Sequence, residues 1–438
     1  MDIPQFLEPF FEKPVGIFGY GVSGKAVAQV LETLRLPYVI YDQAENASLC
    51  SQFTTEMASK HSLIVYSPGF AINHPWLDLA RNMRCLCLSE LDFGSFFWKG
   101  KIIAITGTNG KSTLTCLLKE ALSAMGKTVI ACGNIGSPLS AQYDYFENIQ
   151  AIAICEVSSF QAETVEYFVP DVVIWTTFDV DHLDRHSDLR SYFDAKWNLI
   201  RHLKTRDLFI GETVAKYAKY YGYSLPAETT VVSQSNTDDD VLLFSKVFGA
   251  VPQIENYLLA LAFWNAQQFN LEVLKETAIA FRPLPHRLQK IEEIRGIGFW
   301  NDSKGTNFSA TIAALKNFKK SIFWIGGGKL KGGDQDSFVD SISTYIEEAF
   351  LIGEAALSLE GKLSVHDIKV RCFSSLEAAI EAAFNSAVLG GGMKEILFSP
   401  GFSSLDMFKN AEERGNFFEK KVLELKIAQN TLELTQDH

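Results

Sequence analysis

A lysine followed by two hydroxyl residues, set behind a glycine-rich turn, is a combination that can hold a chain of phosphates. This chain carries it as Gly107-Thr108-Asn109-Gly110-Lys111-Ser112-Thr113. Glycines let backbone N–H groups turn toward an anion, and a helix starting at the same place adds its free amides and the positive end of its dipole. Lys111 supplies a point charge for the terminal phosphates, and Ser112 or Thr113 a hydroxyl for Mg²⁺. Ile105 stands where the first glycine of G-x-x-x-x-G-K-[ST] belongs, so an ordinary strand–helix turn is the competing reading.

Other residues with chemical potential fall at comparable places. Asn134 ends KTVIACGN, Glu156 ends AIAICE, and Asp179, Asp181, His182, Asp184 and His186 cluster after DVVIWTT. In open parallel sheets ligands bind at the carboxyl ends of the strands. A hydroxyl, a Glu and a His beside a phosphate loop suit a magnesium site, although His182 read alone is equally a satisfied strand-end histidine. Lys196, in the helical run DLRSYFDAKWNLIRHL, reads by itself as a helix-surface lysine.

Two further glycine-rich turns stand out. Gly19, Gly21 and Gly24 form G-x-G-x-x-G after a short apolar run, and PYVIYD ends in Asp42. An acidic residue about 20 positions on is the dinucleotide spacing, but another nucleotide diphosphate, or tight helix–strand packing, fits that turn as well. SIFWIGGGKLKGGD places Lys331 in a second lysine-bearing turn, and NDSKGTN sets Asp302, Ser303, Lys304, Thr306 and Asn307 before a helix. Asp and Thr are also good helix caps.

The elements that must carry these residues alternate strand and helix almost throughout, which predicts mainly parallel sheets. A first unit closes near Leu91–Gly100, a second begins with the strand Ile102–Thr106, and RPLPHRLQKIEEI, containing His286 and Arg287, links to a third beginning near Lys290. The expected domains are 1–93, 94–287 and 288–438. Residues 225–249 read as a polar β-excursion, and IENYLLALAFWNAQQ as an amphipathic helix.

Composition sets the outer limits. The chain has 438 residues, 47% hydrophobic and 21% charged, enough for about three cores. A net charge of −12 without a basic run speaks against nucleic acid, which needs clustered Lys and Arg. The N-terminal MDIPQFLEPFFEK lacks the basic-then-apolar order of a signal peptide, and no apolar run approaches the roughly 20 residues of a membrane span. Seven cysteines without a C-x-x-C read as reduced core residues of a cytosolic protein, Cys85 and Cys87 sharing one side of a strand.

Taken together and in order, GTNGKST, GNIG, EVSSFQ, DHLDRH with Lys196, LPHR, NDSKGTN, GGKLKG and SPGFSSLDMFKN resemble the Mur ligase family along essentially the whole chain. The C-terminal motifs favour the D-glutamate-adding branch over those that add L-alanine or a diamino acid. The resemblance implies three α/β domains: an N-terminal Rossmann-like one, a central P-loop-type one with a mostly parallel sheet, and a C-terminal Rossmann-like one. It implies an ATP-dependent ligase of peptidoglycan precursor synthesis, expected to be cytoplasmic and monomeric, using ATP, Mg²⁺ (two ions), UDP-N-acetylmuramoyl-L-alanine and D-glutamate.

Residue by residue, Gly21, Val22, Ser23, Asp42 and Gly69 correspond to contacts of the uridine diphosphate, which replaces NAD in the first domain. Gly107 to Thr113 correspond to the ATP phosphate loop, with Lys111, His182 and Lys196 as catalytic residues. Ser112, Glu156, His182 and a carbamylated Lys196 correspond to metal ligands. Asn134 lies near both substrates; Asn256, Arg287 and Asp302 are ATP contacts; Thr306, Lys331 and Ser404 form the D-glutamate pocket. The chain departs from the family's G-x-H-N-x-x-N, having Pro252 and Gln253 in AVPQIEN, from a Phe at Ala411, and around Gln43 and Ala44. Competing readings are a sister ligase, a folylpolyglutamate synthetase, which lacks the N-terminal unit, and an NAD-binding oxidoreductase or sensor.

Overall fold

The computed structural model describes residues 1–43, 50–233, 241–249, 253–319 and 322–436; Ala44 and Pro252 lie outside them. The chain forms two compact units. One comprises Met1–Phe178, Arg190–Val241 and Gln253–Ala280; the other comprises Asp179–Leu189, Leu242–Pro252 and Phe281–His438, so far as these are described.

The first unit contains two sheets. β1 (Val15–Phe18), β2 (Tyr38–Tyr41), β3 (Leu63–Tyr66) and β4 (Leu86–Ser89) lie in the order β2-β1-β3-β4, all parallel. β5 (Lys101–Thr106), β6 (Val129–Gly133), β7 (Ile152–Glu156), β8 (Val172–Trp175), β9 (Leu208–Gly211) and β10 (Thr230–Val232) lie in the order β10-β9-β8-β5-β7-β6, again all parallel. LIVY of β3 and VVIW of β8 are buried at every residue, as strands covered on both faces require. The order reverses beside β1 and beside β5, and such switch points are where ligand crevices open. Both glycine turns of the first unit follow these two strands.

The boundary expected at residue 93 falls inside the helix Glu90–Phe97. That helix ties the two sheets together: buried Asp92 accepts the backbone N–H groups of Tyr167 at 2.9 Å and Phe168 at 2.8 Å, and Glu90 accepts that of Ser140 at 2.8 Å.

The second unit carries β11 (Gln289–Ile294), β12 (Ile297–Asn301), β13 (Ile322–Gly327), β14 (Ile346–Ile352), β15 (Lys369–Phe373) and β16 (Lys394–Phe398), in the order β11-β12-β16-β13-β14-β15. β11 and β12 form an antiparallel hairpin and the remaining pairs are parallel. One face packs Phe299, Phe384 and Phe418 under the helices Leu376–Gly390 and Ala411–Gln436. The other packs Leu315, Trp324 and Phe338 under the helices Phe308–Leu315 and Gln335–Ile342.

Two expectations change. The supposed β-excursion at 225–249 contains only the short edge strand β10 and the helical turn Val241–Phe244, its residues 234–240 lying outside the described ones. The strand expected to end in the Asp179–His186 cluster stops at Trp175, and the cluster belongs to the second unit. Cys85 and Cys87 are buried and unbridged, as expected.

Candidate functional site

The turn after β5 is shaped by residues that approach its glycines. Gly107 has φ +148° and a Cβ there would overlap Thr176 Oγ1; Gly110 has φ +89° and a Cβ there would overlap Asn256 Oδ1. Only glycine suits both positions, since a left-handed backbone strains other residues. Thr176 and Thr177, at the end of β8, fasten the turn. Thr108 N–H donates to Thr177 O at 2.9 Å, Asn109 N–H to Thr177 Oγ1 at 3.0 Å, and Thr176 Oγ1–H to Asn109 O at 2.5 Å. Two threonines directly after VVIW were a legible signal that the sequence reading passed over.

The helix Lys111–Ala124 begins at once, capped by Gly110. Ser112 and Thr113 fall in its first turn, where its free amides are concentrated. Lys111 Nζ donates to Gly107 O at 2.7 Å and Thr108 O at 3.0 Å, so its ammonium lies over the loop. Asn256, expected beside ATP, is buried and donates to Gln253 Oε1 at 2.6 Å. Gln253, a departure from the family pattern, therefore fixes the amide that abuts Gly110.

Lys196 is no surface lysine: it is 1% exposed. Its Nζ donates to Thr106 Oγ1 at 3.2 Å and Gly107 O at 3.1 Å, and it lies 5.0 Å from the centre of the Tyr192 ring. Tyr192 Oη in turn lies 3.2 Å from Thr108 Oγ1. Glu156 sits next to β5, in register with Ile105. Asn134 Nδ2 donates to Glu156 Oε1 at 2.8 Å, and Asn134 N–H to Glu156 O at 2.8 Å. Glu156 Oε2 is buried and has no hydrogen-bond partner among the described residues. Three of the four expected strand-end segments thus meet around the loop.

The N-terminal residues gather into one cavity of about 370 Å³, lined by Gly21, Val22, Ser23, Asp42 and Gly69 together with Gly19, Gln43, Ser67, Phe70 and His74. Asp42 Oδ2 accepts Tyr20 N–H at 2.6 Å, closing the glycine turn. All five residues expected at the diphosphate lie here. Phe70 and His74, with ring centres 4.6 Å apart, were not foreseen.

In the second unit, His182 has the left-handed φ of +55°. The adjacent Asp181 is buried: its Oδ1 accepts from Lys331 Nζ at 3.2 Å and from His182 N–H at 2.8 Å, and its Oδ2 from Asn307 Nδ2 at 3.1 Å. Burial pushes this carboxyl up, but the Lys331 ammonium, His182 and the two donors outweigh it and hold it below its ordinary value. Thr306 precedes Asn307, and Ser404 follows Ser403, whose backbone pairs with Lys329 at 2.9 and 3.1 Å.

Asp302 is buried, and burial pushes it up to about 6 against the hydrogen bonds of Ser399 Oγ (2.7 Å) and Leu288 N–H (3.1 Å) and the charges of Arg287 and Arg414. Arg414, which the sequence reading did not single out, is buried and donates to Ser303 O at 2.9 Å and Phe402 O at 3.2 Å. Ser303 Oγ–H donates to Ala411 O at 2.7 Å, so Ala411 takes part through its backbone. Among the described residues no set of three or more His, Cys, Asp or Glu side chains forms a ready-made metal cage.

A lysine-bearing glycine turn at the switch point of a parallel sheet, with a cavity of about 370 Å³ at the glycine turn of a neighbouring sheet, is an arrangement that suits a nucleotide-using α/β protein. Comparison narrows the class. The chain matches the Mur ligase middle domain over residues 105–262 and the Mur ligase glutamate ligase domain over residues 286–393. It belongs to the Mur ligase family.

Within the family it is similar over nearly its full length to UDP-N-acetylmuramoylalanine–D-glutamate ligases. The one from Aquifex aeolicus is 34% identical, with 93% of this chain and 97% of the relative covered. The one from Thermoanaerobacter sp. strain X514 is 31% identical, with 94% and 99% covered. Solved structures share the fold at low identity. The pseudomurein peptide ligase type C of Methanothermus fervidus gives a TM-score of 0.59 at 16% identity, covering 95% of this chain and 100% of that one. The MurF ligase of Thermotoga maritima, solved in complex with ADP, gives 0.57 at 14% identity, covering 95% and 96%.

Proposed function

We propose that the chain is an ATP-dependent ligase that adds D-glutamate to UDP-N-acetylmuramoyl-L-alanine through an acyl phosphate, in peptidoglycan precursor synthesis. Full-length similarity to ligases of that name is the observation that carries this reading. Three domains, 1–93, 94–287 and 288–438, are part of the proposal, with one sheet in each. A monomer in the cytoplasm is the proposed setting. Among the described residues no helix is long and apolar enough to cross a membrane.

A carboxylate is a poor electrophile, so ATP must first convert it into an acyl phosphate, which the amine of the amino acid then attacks, expelling phosphate. Bringing the carboxylate up to the γ-phosphate means holding two anions together. Two unit charges 4 Å apart interact by about 4 kcal/mol at an effective dielectric near 20. Gly107–Thr113 would grip the phosphates, with Lys111 turning from the loop carbonyls to the anion; Asn256 would steady the loop at Gly110. Catalysis here is positioning plus electrostatics.

Mg²⁺ fits the first unit, because Glu156 Oε2 is a buried carboxyl oxygen without a donor among the described residues. Ser112, Glu156 and Lys196 would hold it, Lys196 after its neutral amine has added CO₂ and lost a proton to become a carbamate oxygen ligand. When bound, the ion supplies charge neutralisation at the phosphates. On the second unit, His182 is the proposed metal ligand, Arg287 and Asp302 the nucleotide contacts, and Thr306, Lys331 and Ser404 the D-glutamate contacts. Gly21, Val22, Ser23, Asp42 and Gly69 would hold the uridine diphosphate, and Asn134 would lie close to substrate beside Glu156.

The test is phosphate release from ATP with a panel of amino acids. Release that requires both UDP-N-acetylmuramoyl-L-alanine and D-glutamate supports the reading; release driven instead by L-alanine or a diamino acid overturns it in favour of a sister ligase.

A further inference from the structure

Asp181 carries more of the second unit's polar architecture than any role above gives it. Its carboxylate takes three hydrogen bonds: Lys331 and the His182 amide donate to Oδ1 and Asn307 to Oδ2, and His182 Nε2 lies 3.5 Å from Oδ2. Lys331 is in the opposite position. An ammonium has three donors, and among the described residues only Asp181 takes one, although the Lys331 side chain is only 15% exposed. Two donors remain on a cation that is already fixed in place.

We propose that Asp181 is the positioning residue of the amino-acid pocket, holding the Lys331 ammonium so that its remaining donors meet a carboxylate of the incoming amino acid. This rests on the D-glutamate reading above. A lysine on its flexible stem keeps about 2 kcal/mol of rotamer entropy, and here it sits in the turn Gly328–Gly333. A buried carboxylate restricts both. Through Asn307 the same carboxylate anchors the residue next to Thr306; the Asn307 amide is locked from its other side by Ala310 N–H, which donates to Oδ1 at 2.9 Å. The Lys329–Ser403 backbone pair brings the strip leading to Ser404 against the same turn. Asp181 thereby joins the Lys331 and Thr306 strips, and the Ser404 strip is laced to the Lys331 turn. With three hydrogen bonds already on its two oxygens, its main role is to orient the cation.

The experiment is steady-state kinetics of Asp181→Asn in the full chain, with each substrate varied in turn. The amide keeps the shape and loses the charge. A KM for D-glutamate raised about tenfold or more, the loss of one charge-assisted contact, with the KM values for ATP and the nucleotide sugar within about twofold, is the expected result. Asp181→Glu, which keeps the charge on a longer arm, should give a smaller rise with the same selectivity. A KM for D-glutamate unchanged in a folded variant, a parallel rise of all three constants, or failure of both variants to fold each overturns the positioning role. Wild-type enzyme that does not use D-glutamate at all overturns the functional reading first, so the two failures are distinguishable.

Discussion

Gly110→Ala puts the loop geometry to a quantitative test. The substitution adds a methyl group at φ +89°, where it overlaps Asn256 Oδ1. A left-handed backbone costs a non-glycine residue about 1–2 kcal/mol. Pushing Asn256 aside forfeits its 2.6 Å hydrogen bond to Gln253, worth about 1 kcal/mol. The native loop is then disfavoured by about 2–3 kcal/mol, and at 1.4 kcal/mol per decade ATP should bind roughly 30- to 150-fold more weakly. Titration calorimetry with a non-hydrolysable ATP analogue and Mg²⁺ measures this directly. The double variant separates the two contributions. In an Asn256→Ala background the overlap is gone, so adding Gly110→Ala should weaken binding only about tenfold further, the backbone share alone. Equal losses in both backgrounds would refute the contact between the two residues, and a loss under about threefold would refute the loop geometry itself.

Other consequences follow from buried charges. Lys196→Ala should abolish turnover, and wild-type protein given isotopically labelled bicarbonate should show a carbamate signal that the variant lacks; near-normal turnover would remove Lys196 from the mechanism. Asp302 has a folded-state pKa of about 6, raised from 3.8, chiefly by burial. The folded state therefore binds its proton more readily than the unfolded state does, and this group's contribution to stability grows as pH falls from above 6 toward 3.8. Asp302→Asn should flatten that part of the melting-temperature profile and raise stability at neutral pH, while weakening ATP binding. A variant whose profile is parallel to wild type would show that Asp302 does not titrate there.

What the sequence could convey depended on range. Lys101–Thr115 is local, and its strand, turn and helix appear where the pattern puts them. G-x-G-x-x-G and Asp42 lie within 23 residues of one another, Gly19 to Asp42, joined by one parallel strand pair, and they share the expected cavity. Lys196 was legible only through the family resemblance, because a helix position shows nothing of the strand that covers it. Asp181 and Lys331 are separated by 150 residues, and no spacing rule pairs residues at that distance. Asp181 was visible only as one acid in the Asp179–His186 cluster, of which His182 alone reads as a metal ligand. Its bond to Lys331 comes from the loop Asp179–Leu189 folding with the second unit, although the family's middle-domain pattern runs through it.

The central claim is that the turn after β5 grips the triphosphate of ATP. ATP binding by the purified protein, with Mg²⁺ present, compared between wild type and Lys111→Ala, tests it most directly. A measurable wild-type affinity that falls at least about tenfold on losing the ammonium, together with loss of turnover, is the predicted result. No affinity in the wild type, or full affinity and full turnover in the variant, would contradict it.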